Sequence, residues 1–386
     1  MYKVNCLNKI SKVGMAHLTA DYTVVEEFGD ADVALVRSAA MHEMEFPKSL
    51  KAIARAGAGV NNIPLDRAAD EGIVVFNTPG ANANAVKELA IAAMLLASRD
   101  IVGGIGWVQD NKADEAINKS VEKNKSQFAG TEIMGKTLGI IGLGAIGGPL
   151  GNAALALGMK VIGCDPFLSD AAKAKLSPEI QIVATRDEVY KNSDFISVHT
   201  PLIDDPDPDK NTKKMINAEK IALMKDGVIV LNLARDLLVD DAAMAAALES
   251  GKVRKYVSDF PNAASANMKG CIAIPHLGAS TEEAEDNCAV MAVEQVRNYL
   301  ENGNIINSVN FPRIDLGEKE GTRLAVIFEA EKVDDIEGAV KAAGVAVTTT
   351  CLGVRGKVGY FLADLSGSAD AAAVEAIAGV KSARVF

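Results

Sequence analysis

At 386 residues the chain is too long for one ordinary core, and with 49% hydrophobic and 24% charged residues it falls outside the disordered and fibrous classes. A net charge of −11 argues against a nucleic-acid partner, because neutralising phosphates needs a basic surface. Cys6, Cys164, Cys271, Cys288 and Cys351 show no CxxC or metal-ligand spacing, no apolar run reaches the roughly 18 residues of a membrane span, and the start MYKVNCLNKI lacks a signal-peptide core. A cytoplasmic protein with reduced thiols, no metal and no membrane contact is expected.

Along the first hundred residues, DVALVR from Asp32 to Arg37, Ile53 to Gly59 and IVVFN from Ile73 to Asn77 read as strands alternating with helical patterns, which predicts a parallel α/β layer. NAVKELAIAAMLLA from Asn84 to Ala97 predicts a long buried helix. The stretch from Gly103 to Glu132 has no clean periodicity. LGIIGLGAIG at Leu138, VIGCD at Val161, FISVHTP at Phe195, GVIVLNLAR at Gly227, KYVSDF at Lys255 and CIAIPH at Cys271 then read as successive strands of a second doubly wound sheet. A helix from Glu282 to Leu300 returns the chain to the first domain, and the last 65 residues restart as a small βαββαβ unit. The fold class expected is α/β, with a discontinuous domain over residues 1–98 and 278–315, a Rossmann-type domain over 99–277, and a terminal domain over 320–386.

Gly142, Gly144 and Gly147 close an apolar strand and open a helical run, the context in which GxGxxG makes a tight turn, lets a pyrophosphate approach the backbone and presents a helix amino end to it. Alone, these glycines could simply make a strand-to-helix turn. Asp165 ends the next strand 18 residues past Gly147, near the ~20 expected of a ribose-binding carboxylate, and a carboxylate there favours NAD over NADP. Oxidising a hydroxyl carbon requires a base for the hydroxyl proton, and imidazole suits neutral pH. Of the four histidines, His17 and His42 carry no motif and His199 fits a structural or cofactor-lining place. His276 follows a strand at the carboxyl edge of the sheet and is the acid/base candidate, with a packed or helix-capping role as the alternative. Arg235, behind a nearly all-apolar run, could hold a substrate carboxylate, and it predicts a partner inside the molecule.

These residues, with RAGAGVNNI at Arg55, FNTPGAN at Phe76, GKTLGIIGLGAIG at Gly135, HTPL at His199, INAEKIALMKDGVIVLNLAR at Ile216 and PHLGAS at Pro275, resemble the D-2-hydroxyacid dehydrogenase family over nearly the whole chain. The resemblance is greatest to members that oxidise 3-phospho-D-glycerate for serine biosynthesis, and the terminal unit looks like an ACT domain. It implies His276 as acid/base and Arg235 as carboxylate holder. It further implies a cofactor site of Gly142, Gly144, Ala145, Ile146, Gly147, Asp165, Thr78, His199, Thr200, Pro201, Leu233, Ala234, Asp259, Gly278 and Ala279. Arg55, Ala58, Gly59, Val60 and Asn77 would meet the substrate, with Arg55 on its phosphate. A homodimer or homotetramer is implied, with the contact around Trp107.

Two departures qualify the expectation. The loop FEAEKVDD lacks the turn that receives serine in feedback-regulated relatives. SDFPNAAS, where the family pairs the histidine with a glutamate, leaves Ala264 at the glutamate's place. Either Glu282 or Glu283 reaches the imidazole, or the histidine works without a carboxylate, or catalysis is lost. The rivals are a dehydrogenase for another 2-hydroxy acid, such as glycerate or lactate, and an NAD-sensing binding protein like the corepressors of this fold.

Overall fold

The computed structural model describes all residues, Met1–Phe386. Contact density divides the chain into two units, Met1–Asn82 with Glu282–Phe386, and Ala83–Thr281. The first unit holds a five-stranded sheet of β1 (Tyr2–Cys6), β2 (Tyr22–Val25), β3 (Val33–Val36), β4 (Ala52–Arg55) and β5 (Val74–Phe76), in the order β2-β1-β3-β4-β5 and parallel throughout. All four residues of β3 are buried, as expected of a parallel strand covered on both faces. One face packs on the helix Glu282–Asn302, whose Ala289, Ala292, Val293 and Val296 meet Val33, Leu35, Ala52 and Ala54.

The second unit is a seven-stranded parallel sheet of β6 (Thr137–Ile141), β7 (Lys160–Cys164), β8 (Gln181–Ile182), β9 (Phe195–Val198), β10 (Val228–Asn232), β11 (Val253–Ser258) and β12 (Cys271–Ala273), in the order β12-β11-β10-β9-β6-β7-β8. Strand order reverses at β6, and in such sheets a ligand crevice forms beyond the carboxyl ends of the strands at that point. The helix Ala83–Ser98 belongs to this unit and buries Ala90, Ala93, Met94 and Ala97 in its core. The stretch without clean periodicity contains the helices Ile101–Asp110 and Ile117–Asn124.

The C-terminal residues form an antiparallel sheet of β13 (Arg323–Glu329), β14 (Val347–Arg355), β15 (Val358–Leu365) and β16 (Val380–Val385), in the order β14-β15-β13-β16. With helices Ile336–Ala342 and Ala371–Glu375 this is a βαββαβ, ACT-like domain. Its Arg323, 1% exposed, donates to Asp364 at 2.6 Å and to the carbonyls of Asn302 and Gly317, so the buried charge is fully partnered. The chain is therefore α/β, with two parallel-sheet domains and an antiparallel third. All five cysteines are free, and no single helix is long and apolar enough to cross a membrane.

Candidate functional site

The glycine turn follows β6. Gly142 has a φ of +93°, a conformation side chains rarely adopt, and a Cβ on Gly147 would overlap the Gly142 carbonyl oxygen. Gly144 has open space where a Cβ would stand, so a ligand can approach its backbone. The helix Gly147–Ala156 starts at Ile146 without a side-chain cap, which leaves amino-end N–H groups for an anion. Asp165, at the end of β7, accepts the Leu143 and Phe167 N–H groups, each at 2.9 Å. It thus braces the turn, while its remaining lone pairs leave room for ribose hydroxyls.

Beyond β9, β10 and β11 lie polar atoms that the chain does not satisfy. Thr200 Oγ1, His199 Nδ1 and Asp259 Oδ1 are buried without a hydrogen-bond partner, although such groups are normally paired. Leu233, just past the end of β10, is buried, Ala234 is half-buried and Pro201 exposed. Burial pushes the Asp259 carboxyl above the usual range against the opposing pull of His276 and Arg235, and a Cβ on Gly278 would stand 3.0 Å from its Oδ2. Ala279 is half-buried next to Gly278. Burial also pushes the His199 imidazole down to about 4, with Nε2 2.8 Å from Ser197 Oγ. A histidine neutral well below pH 7 lines a site but makes a poor proton acceptor. Uncapped helix, open glycine and orphaned polar atoms fit a dinucleotide.

His276 is exposed just past β12, and Arg235 is half-buried just past β10. Between them stands Phe260: its ring centroid is 4.9 Å from that of His276, at an interplanar angle of 74°, and the Arg235 guanidinium carbon lies 5.8 Å from its centre. The internal partner expected for Arg235 is not a carboxylate. Its Nη1 donates to the Ala234 carbonyl at 2.7 Å, and the phenyl ring covers part of its charge. Ala264 begins a short turn at Ser265–Asn267 and brings only a methyl group, while Glu282 and Glu283 are exposed.

In the first unit, Arg55 ends β4 and its Nε donates to the Arg37 carbonyl at 3.0 Å, so two guanidinium-bearing residues sit at neighbouring strand tips. Arg37 Nη2 also donates to Glu285 at 2.7 Å. Gly57, with a φ of +153°, turns the loop and leaves the Ala58, Gly59 and Val60 amides outside the backbone hydrogen-bond network. Asn77 Nδ2 ties the loop through the Ala58 carbonyl at 2.6 Å, and Thr78 is fully buried. Sequence reasoning passed over Arg37 and Phe260. Arg37 closes the apolar run DVALVR as Arg55 closes its own strand, a signal available in the sequence, whereas the place of Phe260 depends on a loop path that pattern does not give.

The model of the NAD-binding domain of D-isomer-specific 2-hydroxyacid dehydrogenases matches residues 91–278. The D-3-phosphoglycerate dehydrogenase of Methanocaldococcus jannaschii is 34% identical over 327 residues, which cover 82% of this chain and 59% of that protein. The chain thus spans less than two thirds of that relative. The hydroxypyruvate reductase of Thermotoga maritima is 37% identical over 297 residues, 74% of this chain and 90% of that protein. Among solved structures, the NAD+-bound 3-phosphoglycerate dehydrogenase of Entamoeba histolytica superposes with a TM-score of 0.63 at 26% identity, covering 80% of this chain and 98% of that one. The second unit is an NAD(P)-binding Rossmann domain.

Proposed function

The chain belongs to the D-isomer-specific 2-hydroxyacid dehydrogenase family, and from that premise we propose that it interconverts a small 2-hydroxy acid and its 2-oxo acid with NAD as hydride carrier. What carries the reading is the pairing of an exposed imidazole and a cation beyond β12 and β10, on the same sheet edge as the glycine turn. In this reading Arg235 holds the substrate carboxylate by paired hydrogen bonds. His276 takes the hydroxyl proton as the C2–H bond breaks and the C2–O bond becomes a carbonyl; in reduction it returns that proton. NAD, when bound, accepts the hydride. The carboxylate of Asp165 favours NAD over its 2′-phosphorylated form. The sheet of β1–β5 is assigned to substrate binding and residues 83–281 to the cofactor.

Two substrate readings have support. The Arg37 and Arg55 pair suits a second anionic group, as in 3-phosphoglycerate, whose oxidation would feed serine synthesis. Unphosphorylated acids such as hydroxypyruvate are favoured by the 37% identity to the hydroxypyruvate reductase over 90% of that protein. Initial rates with NAD and 3-phosphoglycerate or glycerate, and with NADH and hydroxypyruvate or glyoxylate, decide between them. Arg37→Ala should weaken only the phosphorylated substrate. His276→Ala should cut kcat by about 10²–10⁴-fold, the usual worth of general acid–base catalysis. A wild type that binds NADH but turns over none of these acids refutes the dehydrogenase reading and leaves the NAD-sensing one.

A further inference from the structure

The imidazole of His276 has no carboxylate partner: the one histidine–carboxylate ion pair in the molecule joins His17 to Glu294 at 3.1 Å. Asp259 feels the charges of His276 and Arg235, yet it forms an ion pair with neither. What touches the imidazole is the ring of Phe260, which also lies under Arg235. We propose that Phe260 is a positioning residue: its ring holds the His276 imidazole edge-to-face and the Arg235 guanidinium over its π cloud, doing by packing what a hydrogen-bonded carboxylate would otherwise do. The inference rests on the roles given to His276 and Arg235 above.

Hydrogen bonds tie down the loop that carries the ring. The Phe260 N–H donates to Ser258 Oγ at 3.2 Å, and Ser258 is itself buried. Pro261 fixes the next φ. Asn262 then knots the turn, its Oδ1 accepting the Ala264 and Ser265 N–H groups, each at 2.9 Å, and its Nδ2 donating to Asp241 at 2.8 Å. On the other side, Asn232 Nδ2 donates to the Arg235 carbonyl at 2.8 Å. The residues that replace the acidic segment thus tie down the backbone that carries the aromatic ring. Such a contact orients an imidazole without fixing which nitrogen carries the proton, so the ring can be held in both protonation states.

Phe260→Leu keeps apolar bulk and removes the π face, so it tests position with little risk to folding. Kinetics on the best substrate, NADH affinity by fluorescence titration, and the proton resonances of the His276 ring, identified by their loss in His276→Gln, are measured together. The expected result is a fall in kcat of about 10- to 100-fold from misplacement of the reacting groups, with NADH affinity unchanged. The imidazole resonances lose their ring-current shift, and Phe260→Tyr recovers most of the rate. Unmoved resonances, or a kcat equal to wild type in Phe260→Leu, overturn the proposal while the dehydrogenase reading stands. A wild type without turnover overturns both.

Discussion

His199 and His276 show how burial divides two imidazoles between roles. His276 is exposed, whereas His199 has a buried, unpartnered Nδ1 and an imidazole pushed down to about 4 by desolvation. Its folded value lies below the ordinary 6.5. Between those limits the unfolded chain binds the proton and the folded one does not. Stability is therefore intact above pH 6.5, falls as pH drops, and levels off near 4. By pH 5 the contribution of this residue amounts to about 2 kcal/mol. Urea unfolding of the wild type at pH 7 and pH 5 should show that loss beyond what His199→Asn shows, and equal slopes for both proteins would rule it out. The same desolvation suits a site wall that must stay uncharged beside a dinucleotide, the cofactor-lining place that its strand-end position in the sequence indicates.

Among the elements, the glycine turn after β6 is the most demanding. A methyl on Gly147 would run into the Gly142 carbonyl, so Gly147→Ala must push helix Gly147–Ala156 off the sheet. Overpacking of this kind costs about 1–3 kcal/mol, and the displaced helix end should bind NADH more weakly. Thermal melts and NADH titration of the variant check both effects, and an unchanged affinity would argue that phosphates do not rest on this turn. This element was legible in the sequence because strand, glycines, helix and Asp165 are contiguous and each has a local cause. So was the order of the last four strands and their helices, where apolar runs are separated by turn residues. Less legible were β1, β2 and β8, short or half-exposed strands with weak alternation. The helix Ile101–Asp110 was hidden by Gly103, Gly104 and Gly106, which lower helix propensity, although Ile101, Ile105 and Val108 keep the helical period. The pairing of His276 with Phe260 was out of reach, because a contact across two loops leaves no periodic trace.

At the scale of the whole molecule, that glycine-rich helix is the feature a lone chain leaves unexplained. None of its residues is buried, and Ile101, Val102, Ile105 and Val108 are between 37% and 58% exposed along one stretch, the kind of apolar surface that can mark a contact with another protein. Its glycines lower helix stability but allow a close approach of another backbone, which suits a symmetric contact with a second copy of the chain. Trp107, the single tryptophan, sits half-buried in this helix with its ring centroid 6.3 Å from that of Phe128, so its emission reports directly on whether the surface is covered. Ile105→Glu places a charge in the centre of the patch. Desolvating an unpaired carboxylate should raise the dissociation constant of a dimer by about 100-fold or more. Sedimentation of the wild type should give at least twice the mass of one chain, with the variant shifted toward a single chain and its tryptophan emission moved to the red. A wild type that sediments as one chain, or a variant that keeps both mass and emission, would place the contact elsewhere.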